Sequence, residues 1–489
     1  MTHCLHIAGV CLNNVIGHPP FNLISLTCFL LMNKSVLTTE QLLLGAFHRA
    51  ASHVPGYQAL LHEHCVQLQD VVDIEAFSRF CPILTKQNTF TRFPLEQLCA
   101  GGSLQDLAEV LTSSGHGGQF SFGMIDRKQA SAQADFIDAA FDASFSVKTQ
   151  STLTINCLPM GVGFSSHCMT MATTSVREDM AVALVQAFGH CYEQIILVGD
   201  PLFLKKFAEH AILSGVDWSR YRVNIVIGEE VFGENFRAYL AQCLNLNTND
   251  KENGYIISSF GVGELGLHLC YETLATIALR RAVLTNPGLS RDLLGVEGDG
   301  VALPMIFTFN PLRIFIEIMN ADQNGYGAMT FSTLNPEALV PLLRYQTGDI
   351  ARLLDAGEVD EIIRKHKVAL PEELPRSLVA LRGRDKEELP NGSHVGFYKD
   401  ILYADPRIAK HLTGACRLIF FESKFTMHVQ LAPLQVPQES MNQAIWQAIP
   451  PAIRPLRVIL WHYDRYPFGM SLDYERKFSF YIPGEMPVR

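Results

Sequence analysis

Between residues 179 and 258 the chain alternates short apolar runs with amphipathic stretches of helical spacing. Asp179 to Phe188, Leu202 to Leu213 and Gly233 to Leu244 read as helices. Gln194 to Val198, Val223 to Ile227 and Tyr255 to Ser258 read as strands too apolar to face water on either side. Strands buried on both faces and separated by helices form a parallel sheet, because each connection must cross back over the sheet. Ligands on such sheets gather at the carboxyl ends of the strands. The residues after Ile227 and Ser258 are therefore the first to examine for function.

Upstream, Thr38 to Gln41 has capping-box spacing and opens a helix running to about His53, stopped by Pro55-Gly56. A second helix is expected from about Leu104 to Leu111, ahead of the loop Ser113-Ser114-Gly115-His116-Gly117-Gly118. Residues 303–350 are rich in β-formers and turns, which predicts an antiparallel portion. Pro371 to Pro375 reads as a linker before a mixed tail. The expected fold class is α/β. A large N-terminal domain has parallel and mixed sheets, crossover helices and a β-rich subdomain; a small α+β domain follows.

A chain of 489 residues accommodates two or three domains. Its formal charge of −10, with no dense Lys/Arg run, excludes the basic footprint of a nucleic-acid binder. Twelve scattered cysteines with no C-x-x-C pair point to reduced thiols and a cytoplasmic setting. His62-Glu63-His64-Cys65 reads as a surface helix end, not a metal site, since no further ligands accompany it. Phe21 to Met32 is too short to span a bilayer, and no Lys or Arg precedes it as a signal peptide would need. Met32 is a candidate start, and residues 1–37 are expected to form an arm outside the folded body.

Gly261-Val262-Gly263-Glu264-Leu265-Gly266 is a literal G-x-G-x-x-G after an apolar run. A dinucleotide fingerprint needs an acid about 20 residues further on, at the end of a second strand. Residues 273–291 contain no Asp or Glu, which argues against an NAD(P) enzyme. No G-x-S-x-G elbow occurs, so a serine hydrolase is equally unsupported. The Ser113–Gly118 loop offers backbone N–H groups, hydroxyls and glycine freedom suited to a polyphosphate, but lacks the Lys-Ser/Thr of a P-loop. Gly228-Glu229-Glu230 follows a strand directly. Arg344-Tyr345-Gln346-Thr347-Gly348-Asp349 places an acid after a tight turn. Gly383-Arg384-Asp385 and Asp473-Tyr474-Glu475-Arg476-Lys477-Phe478 come later.

The succession of these segments resembles the motif order of the adenylate-forming enzymes. It is most similar to their phenylacetate–coenzyme A ligase branch, whose opening helices Ala46 to Leu61 and Pro82 to Lys86 also resemble. The resemblance spans roughly residues 40 to 480 and is most specific at RYQTGD. It implies a large domain over 38–382 and a mobile small domain over 383–489, with Asp385 the hinge. It further implies that Ser113, Ser114, Gly115, His116, Gly117 and Gly118 close over the ATP phosphates. Gly228, Glu229 and Glu230 would line the adenine pocket, and Ser259, Phe260 and Gly261 would flank adenine and the acyl group. Glu264 would hold Mg²⁺. Asp349 would bind the ribose with Arg344 and Arg384 nearby, and Lys477 would be the catalytic lysine.

The implied reaction joins a carboxylic acid to ATP and then to a thiol. Coenzyme A leads the candidates, a carrier-protein thiol or an amine being the alternatives, and a homodimer is compatible. Neither nucleic acid nor membrane is an expected partner. Departures bear on nucleotide affinity: His116 and Gly117 replace two threonines, Gln119 a cation, and Phe260 and Gly263 the Tyr and Thr beside the magnesium glutamate. A catalytically weak, binding-only relative is therefore the competing reading. Many relatives bind zinc; His268 and Cys270 are present, but the cysteine pair after TGD is missing, so no zinc is expected.

Overall fold

The structure, a computed structural model, describes residues 37–112, 120–247, 254–297, 301–421, 424–469, 474 and 478–483. The expected arm lies, apart from Leu37, outside them. The chain enters through the helix Thr39–His53, where Thr38 and Gln41 exchange both capping-box bonds. The following helix, Pro55–Glu63, begins on Pro55 itself, since proline at the first helical position sacrifices no bond. Its exposed end carries Glu63, paired with Arg92.

Strand β1 (Leu107–Thr112) pairs antiparallel with β2 (Phe122–Asp126). This corrects the helix expected from Leu104 to Leu111. The Leu/Ala/Glu composition favours a helix locally, but pairing with Phe122 to Asp126 overrides that weak preference.

Among the described residues eleven strands form the central sheet, in the order β10-β11-β12-β13-β9-β8-β7-β6-β5-β3-β4. They are β3 (Thr152–Asn156), β4 (Thr170–Thr173), β5 (Gln194–Gly199), β6 (Val223–Ile227), β7 (Ile256–Val262), β8 (Gly266–Tyr271), β9 (Met305–Phe309), β10 (Ile314–Met319), β11 (Gly327–Thr333), β12 (Tyr345–Leu354) and β13 (Leu378–Arg384). From β4 to β7 all pairings are parallel; from β7 to β10 all are antiparallel. Both portions match the sequence expectation. Strand β7 is the join: Ile256 to Ser258 pair parallel with β6, and Ser259 to Val262 pair antiparallel with β8. The G-x-G-x-x-G therefore makes a hairpin and not a strand-to-helix turn.

Alternation along the parallel strands divides two cores. Ile195, Leu197, Val223, Ile225 and Ile227 face Phe203, Phe207, Phe236 and Leu240 on one side. Ile196, Val198, Val226 and Ile257 face Ile137, Phe141 and Phe145 on the other. Buried polar residues in these strands satisfy one another: Asn224 Nδ2 donates to Gln194 Oε1 at 2.9 Å, and Gln194 Nε2 to Phe145 O at 2.8 Å.

A third sheet holds β14 (Leu412–Phe421), β15 (Lys424–Leu431) and β16 (Arg457–Trp461), with β14–β15 antiparallel and β15–β16 parallel. It belongs to the same apolar cluster as the first face of the parallel strands. Lys205, 1% exposed on the helix Pro201–Leu213, donates to Leu412 O at 2.6 Å and to Glu209 at 2.6 Å. Asp400, on the helix Val395–Ile401, accepts from Phe236 N at 3.0 Å. It thereby caps the helix Glu234–Cys243, whose own N-cap residue is Gly233. A Cβ on Gly233 would stand 2.0 Å from the Asp400 carboxyl carbon, so this arrangement requires glycine.

Candidate functional site

One cavity of about 320 Å³ opens at the carboxyl ends of β6 and β7, where the sheet changes from parallel to antiparallel. The β6 exit supplies Gly228, Glu229 and Glu230, with Glu229 at φ +71°. The β7–β8 hairpin supplies Ser259, Phe260, Gly261 and Glu264, and β12 supplies Tyr345, Thr347 and Asp349. Arg384, at the end of β13, lies opposite Asp349 in register, its Nε 3.8 Å from Oδ1.

Glu264 is held firmly. Tyr345 OH donates to its Oε1 at 2.7 Å and Ser121 Oγ at 3.0 Å. Burial and the Glu264 charge together raise the Tyr345 phenol, which therefore remains a donor. Gly123 makes this packing work: a Cβ there would lie 2.0 Å from Gly263 O. The β1–β2 pair thus runs against the Glu264 turn. Lys86 also lines the cavity; burial lowers its pKa while the charge of Glu264 opposes that shift.

On the other side of Gly228, Glu230 accepts from Lys399 Nζ at 2.6 Å. Burial works against the Lys399 charge, but the Glu230 and Glu387 carboxylates outweigh it and raise the ammonium. Asp200, at the end of β5, caps the helix Pro201–Leu213 through Oδ1, while its Oδ2 is shut off from solvent without a donor. Burial, reinforced by the charges of Glu230 and Glu229, pushes its carboxyl up to about 7.

The structure brings Gly228, Glu229, Glu230, Ser259, Phe260, Gly261, Glu264, Asp349 and Arg384 to the one cavity. It does not bring Arg344 there. That residue is 3% exposed, and its guanidinium donates to Glu317 at 3.1 Å and Cys81 O at 2.5 Å. Along β12 neighbouring side chains alternate, and Arg344 precedes the strand in left-handed backbone at φ +53°. Asp385 is exposed at the start of a short 3₁₀ turn. Ser113, Ser114, Gly115, His116, Gly117, Gly118 and Lys477 lie outside the described residues.

Sequence reasoning passed over Ser121, Tyr345 and Thr347 as site residues, and treated Lys86 only as part of a helix. Tyr345 and Thr347 were in view within RYQTGD; Ser121 carried no signal, being an ordinary serine until β2 is laid beside the hairpin. Phe478, Ser479, Phe480 and Tyr481 complete the wall from the C-terminal side. No group of three or more candidate metal ligands occurs among the described residues.

A sheet that switches from parallel to antiparallel pairing beside the cavity, with a small third sheet against it, has counterparts among solved structures. The chain overlays 2-hydroxyisobutyryl-CoA ligase, in the postadenylation state in complex with R3-HIB-AMP, with a TM-score of 0.62 at 12% identity, covering 90% of this chain and 88% of that one. The same ligase in complex with 2-HIB-AMP gives 0.59 at 13% identity over 90% and 88%. Its open conformation with 2-HIB-AMP and CoA gives 0.51 at 13% identity over 90% of each chain. No protein-family model matches the sequence, and no curated protein matches it. The likeness is one of fold, and it agrees with the α/β class read from the sequence.

Proposed function

We propose that the protein activates a carboxylic acid with ATP, releasing pyrophosphate, and passes the acyl group from the adenylate to a thiol, coenzyme A before a carrier protein. One observation carries this reading. A single cavity joins an apolar end to Glu264, Asp349, Arg384 and the Gly228–Glu230 exit, on a fold shared with a ligase solved with R3-HIB-AMP. In the first step a carboxylate oxygen bonds to the α-phosphorus and pyrophosphate leaves with the electrons of the broken P–O bond. In the second, the thiolate sulfur bonds to the acyl carbon and AMP leaves. Both steps build charge on oxygens that fixed donors and cations stabilise.

In this reading Ser113 to Gly118 close over the β- and γ-phosphates, and Gly228, Glu229 and Glu230 line the adenine pocket. Asp349, with Arg384 beside it, accepts from the ribose hydroxyls. Thr347 Oγ1, buried in the cavity wall without a partner, suits a nucleotide that could supply one. Glu264 would hold Mg²⁺: its carboxylate is a hard oxygen ligand already oriented by Tyr345 and Ser121. When bound, that ion neutralises triphosphate charge. Lys477 supplies the cation at the α-phosphate. We further assign the chain to the phenylacetate–coenzyme A ligase-like branch, its domains to 38–382 and 383–489 about Asp385, and its location to the cytoplasm.

The test is pyrophosphate release from ATP and Mg²⁺ across a carboxylic-acid library, with and without coenzyme A. Acid-dependent release is expected, falling by about 10²–10³ in Lys477→Ala. Unchanged release in that variant removes the lysine from the chemistry. No release with any acid favours a fold retained for binding, for which His116, Gly117 and Gln119 in the phosphate loop are the motive.

A further inference from the structure

Among the described residues, the imidazole of His268 lies at the apolar end of the cavity. Ile137, Phe141, Leu158, Val162 and Phe164 line it together with His268, four residues beyond Glu264. The His268 backbone is left-handed at φ +55°, and Arg313 holds the segment by donating to His268 O at 2.7 Å and Leu267 O at 3.0 Å. The imidazole stacks on Tyr271 with centroids 4.5 Å apart, and Phe136 and Phe141 crowd it from other directions. Its Nδ1 shares a hydrogen bond with Ser259 Oγ at 2.9 Å. Its Nε2 is buried and has no hydrogen-bond partner.

A buried nitrogen left unpaired is uncommon, and calls for a group that the protein itself does not provide. Burial, with the Arg313 charge acting in the same direction, pushes the imidazole down to about 3, so it is neutral under working conditions. A neutral ring has one donor and one acceptor. The Ser259 hydroxyl can take either role toward Nδ1, which leaves Nε2 able to present either its proton or its lone pair. The ring is therefore suited to a hydroxyl or an amine. A second carboxylate would lose its hydration among phenylalanines and meet a neutral group.

We propose that His268 Nε2 hydrogen-bonds a neutral polar substituent of the bound acid, making the substrate a monocarboxylic acid with an apolar body and one hydroxyl or amino group. This rests on the adenylation reading for the fate of the carboxylate, but not for what the imidazole binds. Ser259 is the positioning residue, fixing the ring through Nδ1.

The experiment uses the full chain and matched acids: benzoate with 3- and 4-hydroxybenzoate and 4-aminobenzoate, phenylacetate with 4-hydroxyphenylacetate, and isobutyrate with 3-hydroxyisobutyrate. Each acid is read by kcat/KM for pyrophosphate release and, without nucleotide, by the shift in melting temperature. At least one substituted acid is expected to exceed its parent by about tenfold or more, the scale of one buried hydrogen bond left unmade. His268→Asn tolerates left-handed backbone and keeps an amide near the Nδ1 position, but reaches no further. It should bring the ratio close to one. His268→Gln, whose amide extends to the Nε2 position, should recover part of the preference. Parent acids favoured throughout, or a ratio unmoved by His268→Asn, overturns the proposal. Substituted acids that raise the melting temperature only while His268 is present, with no pyrophosphate released, uphold it and sink the adenylation reading instead. Substituted acids that neither turn over nor shift melting overturn it.

Discussion

Replacing Asp200 by Asn keeps the cap of the helix Pro201–Leu213, because an amide oxygen accepts from Leu202 N and Phe203 N as the carboxylate does. It removes a charge whose second oxygen is enclosed without a donor and which faces Glu229 and Glu230. The folded-state pKa is about 7, against about 3.9 for an unfolded aspartate. The folded chain therefore holds a proton across a range where the unfolded chain has released it. The stabilisation this gives is complete below about pH 4 and is lost as pH rises through about 7. Linkage between those values makes the wild type roughly 2–3 kcal/mol more stable at pH 5 than at pH 8 from this group alone. With about 2.1 cal/mol/K of unfolding entropy per residue, that is about 3 °C for a chain of this size. Asparagine has no such proton. Melting curves of both proteins at pH 5 and pH 8 cancel every other pH effect in their difference, so Asp200→Asn should gain about 3 °C on the wild type between the two. A difference that is the same at both pH values would refute the reasoning.

Asp349→Ala should raise KM for ATP by about 10–100-fold if its carboxylate accepts from the ribose, since each charge-assisted bond is worth about 1.5–3 kcal/mol; steady-state kinetics at saturating acid decide it. Gly123→Ala drives a methyl into Gly263 O, so β2 must move and carry Ser121 away from Glu264. A stability loss of about 1–3 kcal/mol in denaturant melts, with lower pyrophosphate release, is expected. Arg344→Met leaves the part-buried Glu317 without its partner, a loss of about 3 kcal/mol. In the fraction that remains folded, KM for ATP should stay near its wild-type value.

The parallel half of the sheet was legible because its strands are buried on both faces, and no other arrangement accommodates runs such as Gln194 to Val198 between helices. The antiparallel half was legible from turn residues and β-formers over 303–350. Strand β1 was not, because its pairing partner, Phe122 to Asp126, lies further along the chain and no local pattern encodes that partner. The site was legible wherever a motif places a side chain through its own strand, as at Glu264 and Asp349. Arg344 stands only five residues before Asp349, yet it turns into the core toward Glu317, since spacing along a motif does not tell which side of a strand a residue leaves from. The unpaired nitrogen of His268 was beyond reading, because Ser259 and Tyr271 occupy its other contacts only after β7 and β8 have paired.

Asp400 caps a helix that lies more than 150 residues before it, and Lys205 spends its proton donors on a strand more than 200 residues after it. A boundary drawn at Asp385 for expressing the two parts separately would therefore not cut at a seam of indifference. The upstream fragment would keep Gly233 at the head of an uncapped helix, together with an ammonium bereft of its carbonyl. The downstream fragment would expose Tyr403, now 4.9 Å from Phe236. Each piece carries the other's missing groups, so neither is a module that a truncation or a chimera could borrow unchanged.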